Sequence, residues 1–160
     1  MAENAGCKAS VDRTGTPIVA GAASPGFTTI LEYLTSVPAW YLATCEGDQP
    51  HVRPFSFAAL EGGRIWFCTA TTKDVYRELQ TNPKFELTAW KPGRGWIILR
   101  GLADLDDQAG PEVRQAGFAH MAALGEQHAG PNDPELTFFS MKDAQAWLCD
   151  IEGTWEPLAL

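Results

Sequence analysis

The sequence predicts a mainly β protein with helical insertions, built as an antiparallel barrel. Six or seven short apolar segments, several alternating apolar with polar residues, are separated by turn residues such as Gly, Pro, Asn and Asp. These segments do not alternate regularly with helical segments, as they would in a parallel sheet with crossover helices. An antiparallel barrel with helical connections is therefore the simplest fold that accommodates these segments.

The chain of 160 residues predicts one domain, long enough to bury more than half of the surface that its unfolded chain exposes. Residues 27–160 contain the regular apolar patterns and are assigned to this domain. Residues 1–26 are rich in Ala, Gly, Ser, Thr and Pro without a sustained period, so they are predicted to form a flexible N-terminal arm.

Charge and cysteine content limit the possible partners and compartments. A formal net charge of -8 argues against a nucleic-acid partner or an anionic membrane surface, which would repel the protein. No apolar run is long enough to span a bilayer, and the N-terminus lacks a signal-peptide layout. Cys7, Cys45, Cys68 and Cys149 form no C-x-x-C pair, which predicts free thiols in a reducing, cytoplasmic setting.

The first half of the domain begins with a predicted helix over residues 27–37, with a capping box from Thr29 to Glu32 and a stop at Pro38. An apolar strand follows at residues 40–45, and a turn over residues 46–50 leads into a strand that carries Arg53. Pro54 removes one backbone donor, so this strand is expected at a sheet edge or with a bulge.

The second half contains four further strand segments and two helices. A helix is predicted over residues 73–81, an alternating strand over residues 85–90, and a long strand over residues 96–105. A second helix starts at Pro111 and ends near Gly125. Residues 136–141 and 144–151, joined at Lys142 and Asp143, are predicted to form a closing hairpin.

Residues 50–83 bring together a cation-bearing strand, several hydroxyls and a helix start. Arg53 lies at the same strand parity as Phe55, where a lone cation would be costly without a partner. Thr71 to Asp74 has the form of a capping box, so a helix is expected to begin near Thr72 and to attract anions, with Lys73 adding charge. We interpret this stretch as a phosphate site. The alternative is an ordinary N-cap with solvated charges and a surface arginine.

The same stretch resembles the small FMN-binding split-barrel proteins of the pyridoxamine 5'-phosphate oxidase-like superfamily. The resemblance rests on Arg53-Pro54-Phe55, on residues 63–69, on residues 72–76 and on Asn82-Pro83. It extends in order over roughly residues 27–152. It implies a split antiparallel β-barrel, a homodimer, and FMN in a cleft between the two subunits.

The resemblance also implies roles for individual residues. Arg53 and Lys73 would hold the FMN phosphate with Thr72 and Thr71, and Thr69 would lie near the ribityl chain. Pro54, Phe55 and Ser56 would follow the edge of the isoalloxazine ring. For Trp96, contact with the flavin or with the dimer interface is weighed against packing in the core.

The activity implied by the resemblance is that of an FMN-dependent oxidoreductase acting on a small-molecule substrate. Three alternatives stay open: a non-catalytic flavin-binding or sensor protein, a deazaflavin protein and a haem protein. No side chain stands out as a catalytic acid, base or nucleophile, and the scattered His51, His120 and His128 suggest no metal site. The true oxidases carry basic substrate-binding residues near the C-terminus, whereas residues 152–160 contain none, so oxidation of pyridoxamine phosphate is not expected.

Either of two arrangements of the Arg53 guanidinium would reject the phosphate hypothesis. The hypothesis fails if this group is turned to bulk water, or if it is buried and already matched by a carboxylate of the protein.

Overall fold

The computed structural model describes residues 19–160, which form three α-helices and nine β-strands. The helices are α1 (Pro25–Thr35), α2 (Asp74–Thr81) and α3 (Pro111–Ala123). The strands are β1 (Val19–Ala20), β2 (Trp40–Glu46), β3 (Gln49–Phe55), β4 (Ala59–Glu61), β5 (Arg64–Ala70), β6 (Lys84–Lys91), β7 (Gly95–Asp104), β8 (Leu136–Cys149) and β9 (Trp155–Leu158). No helix in this part of the chain is long and apolar enough to cross a membrane.

The strands form one sheet in the order β1-β4-β5-β8-β7-β6-β2-β3, with β9 paired to β8. Every pairing is antiparallel except the short contact between β1 and β4. The sheet ends at β3 on one side and at β1 on the other, so the barrel is split. The predicted fold class, mainly β with helical insertions in a split antiparallel barrel, is confirmed.

A short link shows how strongly the sheet curls. β3 is an edge strand, and β4 lies near the opposite end of the strand order. Only residues 56–58 connect them, and the four Cα steps from Phe55 to Ala59 reach at most about 14 Å. The two ends of the sheet must therefore lie close together, and the connection crosses the split between them.

The core lies inside the curled sheet. Leu42, Leu87, Leu99 and Ala146 occupy matching positions on four adjacent strands, and all are buried. Trp40 packs against the ring of Phe67, with centroids 5.1 Å apart. A second buried cluster joins α3 to the sheet and includes Phe57, Trp66, Val113, Met121 and Phe138. The alternating strand predicted at residues 85–90 is observed, since its odd-numbered side chains are buried and its even-numbered ones are exposed.

The start of the domain differs from the prediction. Helix α1 begins at Pro25, and its N-cap is Ser24, whose hydroxyl accepts a hydrogen bond from the Phe27 amide at 3.1 Å. The predicted capping box at Thr29 is therefore wrong. Strand β1 also pairs with β4 inside the span assigned to the flexible arm. The remainder of that arm, residues 1–18, lies outside the described residues.

Two strand predictions also need correction. Residues 136–149 form the single strand β8 rather than a hairpin. The extra residue is accommodated as a bulge, in which Asp143, with a positive φ of 51°, and Ala144 lie opposite Gly101 while Lys142 stays paired with Leu102. In β3, the edge position expected from Pro54 is confirmed. The alternative, a bulge, is absent, since the register with β2 is continuous from Gln49 to Phe55.

Candidate functional site

A pocket of about 220 Å³ opens where the end of β3, strand β5, the start of α2 and the end of α3 meet. Six of the sequence-predicted site residues line it: Arg53, Pro54, Phe55, Ser56, Thr69 and Lys73. The other three, Thr71, Thr72 and Trp96, are not among the lining residues found in the described part of the chain. The Thr71 amide donates to the Glu135 carbonyl oxygen, and Thr72 is exposed. Trp96 is half-buried on β7, opposite Trp90.

The Arg53 side chain points to the inner face of the sheet, since it lies opposite the buried Leu42. Its Nη2 lies 2.8 Å from Glu78 Oε2 and 3.1 Å from Glu78 Oε1, and its Nη1 donates to Thr44 Oγ1 at 2.7 Å. The Thr44 hydroxyl in turn donates to Glu78 Oε2. Arg53, Thr44 and Glu78 thus form a closed hydrogen-bonded triad between β2, β3 and α2.

Glu78 is buried within this triad, with a side chain only 4% exposed. Burial acts to raise the pKa of its carboxyl group, but the hydrogen bonds from Thr44 and Arg53 and the charge of Arg53 outweigh that effect. The net result is a Glu78 pKa below its ordinary value, so the carboxylate is ionised at neutral pH.

Arg53 is therefore matched by a carboxylate, although it is not buried, since its side chain is 22% exposed. The cost of an unpaired cation no longer points to a bound phosphate. A signal for this pair existed in the sequence, because Glu78 lies on the same helical stripe as Val75 and Leu79, which are buried. A carboxylate on a buried stripe requires a partner.

Arg53 nevertheless still borders the pocket. A guanidinium carries five N–H donors, and its three contacts with Thr44 and Glu78 use at most three of them. At least two further donors lie on a side chain that is 22% exposed and lines the pocket. The triad therefore fixes the guanidinium in place without using all of its donors.

Lys73 is the second cation at the pocket. It is the N-cap residue of α2 with an extended backbone, and no side chain caps the helix, so the predicted capping box from Thr71 is wrong. Its Nζ lies 2.5 Å from Oε1 of Glu126, which also lines the pocket. The two side chains are 43% and 30% exposed. Each pocket cation is therefore paired with one carboxylate.

The structure also shows a serine–histidine pair that sequence reasoning missed. Ser56 Oγ and His120 Nε2 lie 2.7 Å apart, and both residues line the pocket. His120 is buried in the last turn of α3, and its ring meets Phe57 edge-on at a centroid distance of 5.7 Å. The sequence contained one signal that His120 is buried, because it lies three residues after the buried Gly117 on the same side of α3.

Two other chemical possibilities find little support at this pocket. Burial raises the pKa of the Cys68 thiol well above its ordinary value, so Cys68 is a neutral packing group and a poor nucleophile. Within residues 19–160, no group of three or more His, Cys, Asp or Glu side chains is arranged to hold a metal ion.

Comparison with known families settles the broader relationship. A family model described as pyridoxamine 5'-phosphate oxidase matches residues 27–150, which is most of the chain. The chain belongs to the pyridoxamine 5'-phosphate oxidase family. This membership agrees with the split barrel. A comparison with curated proteins finds no match.

Several solved structures show the same fold. A NimC/NimA family protein from Clostridium acetobutylicum is 28% identical, with a TM-score of 0.68 over 84% of this chain and 92% of that chain. An FMN-binding protein related to pyridoxamine 5'-phosphate oxidase, from Nostoc punctiforme, is 14% identical, with a TM-score of 0.55 over 88% and 99%. A heme binding protein from Mycobacterium smegmatis is 18% identical, with a TM-score of 0.61 over 89% and 60%.

The chemical types of the pocket residues suit a phosphorylated aromatic ligand. Arg53 and Lys73 provide cationic donors, the buried Thr69 provides a hydroxyl, and Phe55 and Met121 provide apolar wall. The volume of about 220 Å³ is below the roughly 300–1,000 Å³ typical of ligand pockets. One chain therefore encloses only part of a nucleotide-sized ligand.

Proposed function

We propose that this protein binds FMN at the pocket between β3, β5, α2 and α3 and acts as an oxidoreductase on a small molecule. The observation that carries the proposal is that the pocket combines two cations with an aromatic and apolar wall in a chain of the pyridoxamine 5'-phosphate oxidase family. The FMN-binding protein from Nostoc punctiforme supports it, because its barrel covers most of this chain.

In this proposal, Lys73 and the remaining donors of Arg53 hold the phosphate, and Thr69 lies near the ribityl chain. Phe55 supplies apolar surface for the ring, and Pro54 and Ser56 lie along its polar edge. When bound, the flavin supplies the hydride or electron chemistry, so the protein needs no nucleophile of its own. The Ser56–His120 pair holds a proton beside this position.

We also propose that the protein is a homodimer whose second subunit completes the cofactor site. Apolar side chains with exposures between 52% and 65% lie on the outer face of adjacent strands: Tyr41 on β2, Val52 on β3 and Trp90 on β6. The register places Tyr41 and Trp90 on the same face as half-buried Trp96 and Ile98. Such a continuous apolar face is typical of a protein interface.

The dimer would also explain the small pocket, since a second chain would cover the part of the ligand that one chain leaves open. Under this arrangement, Trp96 contacts the interface or the flavin of the partner subunit. The thiols of Cys45, Cys68 and Cys149 are free, which supports the expectation of a reducing, cytoplasmic setting.

A titration with two flavins tests the proposal. The purified protein is titrated with FMN and with riboflavin, which lacks the phosphate, and flavin fluorescence is followed. We expect Lys73→Ala to weaken FMN binding in a salt-dependent manner while riboflavin binding stays unchanged. Thr72→Ala is the matched control, because Thr72 is exposed next to Lys73 but outside the pocket lining.

Three outcomes separate the alternatives. Failure to bind FMN would reject the proposal, and a haem absorption band or selective binding of a deazaflavin would replace FMN with that cofactor. FMN binding without reduction by a nicotinamide donor and turnover of an acceptor panel would favour the non-catalytic flavin-binding protein.

A further inference from the structure

The Glu126 carboxylate occupies the position where an anion would meet Lys73. Its Oε1 lies 2.5 Å from Lys73 Nζ, and both residues line the pocket. A phosphate on Lys73 and a carboxylate on Lys73 compete for the same donors, and their negative charges repel each other. Any phosphorylated ligand that uses Lys73 must therefore share it with Glu126 or displace it.

The structure provides a second partner for the displaced carboxylate. The other Glu126 oxygen, Oε2, lies 3.6 Å from Nε2 of His128, which is beyond the usual range of 2.7–3.2 Å for such a hydrogen bond. The His128 side chain is only 5% exposed, and neither of its ring nitrogens has a hydrogen-bond partner. A buried polar group without a hydrogen-bond partner destabilises the fold. A shift of Glu126 towards His128 by about 1 Å would satisfy Nε2.

Glu126 can make this shift more easily than the other carboxylate beside His128. Asp133 Oδ2 lies 3.8 Å from His128 Nδ1, but Asp133 already accepts hydrogen bonds from the amides of Ala129 and Glu135. The backbone of Glu126 is held by a 3.0 Å hydrogen bond from its amide to the Met121 carbonyl oxygen. Rotation of the Glu126 side chain alone is therefore sufficient.

We propose that Glu126 is an internal competitor that sets the affinity of the pocket for phosphorylated ligands by exchanging between Lys73 and His128. With no anion bound, its carboxylate pairs with Lys73. When a phosphate reaches Lys73, the carboxylate turns to the His128 ring, whose nitrogen then gains its missing partner. This inference rests on the proposed function and names the residue that controls the phosphate end of that site.

A set of four proteins tests the exchange: the wild type, Glu126→Gln, His128→Leu and the double variant. Each is titrated with FMN and with riboflavin. We expect Glu126→Gln to tighten FMN binding by roughly three- to tenfold, since it removes a partly exposed ion pair and a repelling charge. Riboflavin binding should not change. Glu135→Gln is the matched control for net charge, because Glu135 is exposed on the same connecting segment.

His128→Leu tests the second half of the exchange. It removes the partner of the displaced carboxylate, so FMN binding should weaken by roughly two- to fivefold in the wild-type background. In the Glu126→Gln background, the same substitution should have no effect, because no charged side chain remains to be displaced.

The outcomes distinguish this inference from the proposed function. If Glu126→Gln binds FMN as well as the wild type or more weakly, the inference is overturned. The proposed function survives this result as long as the wild type binds FMN. The inference is also overturned if Glu126→Gln tightens riboflavin binding as much as FMN binding, or if Glu135→Gln tightens FMN binding equally. An identical effect of His128→Leu on FMN binding in both backgrounds overturns it as well. Absence of FMN binding by all four proteins rejects both the inference and the proposed function.

Discussion

The guanidinium of Arg53 and the carboxylate of Glu78 form an ion pair with Nη2 and Oε2 2.8 Å apart. This pair joins the edge strand β3 to helix α2, and both Pro54 of β3 and Lys73, the N-cap residue of α2, line the pocket. The pair therefore has a structural role whether or not a ligand is bound. The contribution of Arg53 to stability must be measured separately from its proposed contribution to phosphate binding.

Replacement of Arg53 tests the structural role. We expect Arg53→Ala to lower the free energy of unfolding by about 1–3 kcal/mol, because it leaves the Glu78 carboxylate buried without its cation. The measurement is a denaturant titration without ligand. Arg77→Ala is the matched control, since Arg77 pairs with Asp74 on the exposed face of the same helix, and should change stability by less than about 1 kcal/mol. Equal effects of both variants would contradict a special role for the Arg53–Glu78 pair.

The acid sensitivity of folding tests the same pair in another way. The pKa of Glu78 is lower in the folded protein than its ordinary value of 4.5, so the unfolded state binds the proton more readily. The stabilisation is then complete above about pH 5 and is lost as the pH falls through the folded-state pKa. Stability measured from pH 7 to pH 3 should decline less steeply in Glu78→Gln than in the wild type. Parallel curves would argue against a depressed Glu78 pKa.

The outer sheet face provides a test of the proposed dimer. Trp90 is 61% exposed on β6, and Trp90→Glu would place a charge within the proposed interface, where desolvation is unfavourable. We expect this variant to sediment as a monomer at concentrations at which the wild type is a dimer. Ile151→Glu is the control, since Ile151 is 74% exposed in the turn between β8 and β9. A monomeric wild type, or dissociation by Ile151→Glu alone, would contradict the interface.

The sequence predicted the features that depend on local pattern. Alternation at residues 85–90 and the edge position of β3 follow from residue spacing. The family resemblance implied the grouping of six pocket residues: Arg53, Pro54, Phe55, Ser56, Thr69 and Lys73. Strand parity correctly predicted that the Arg53 side chain points to the interior, because Arg53 lies opposite the buried Leu42.

The features that depend on tertiary packing were not predicted. Glu78 reaches Arg53 from a helix 25 residues away in the chain, and His120 reaches Ser56 from 64 residues away. Lys142 and Asp143 have the composition of a turn, but pairing with both β5 and β7 keeps β8 continuous, and a bulge at Asp143 and Ala144 takes the place of the turn. Local sequence cannot distinguish these two results.

The three-residue link between β3 and β4 acts as a tether across the split in the barrel, and its length limits the aperture of the pocket. Insertions or deletions at residues 56–58 would change that aperture while leaving the paired strands of the core intact. The length of this tether therefore sets both the aperture of the pocket and the positions of Ser56 and Phe57, which line it.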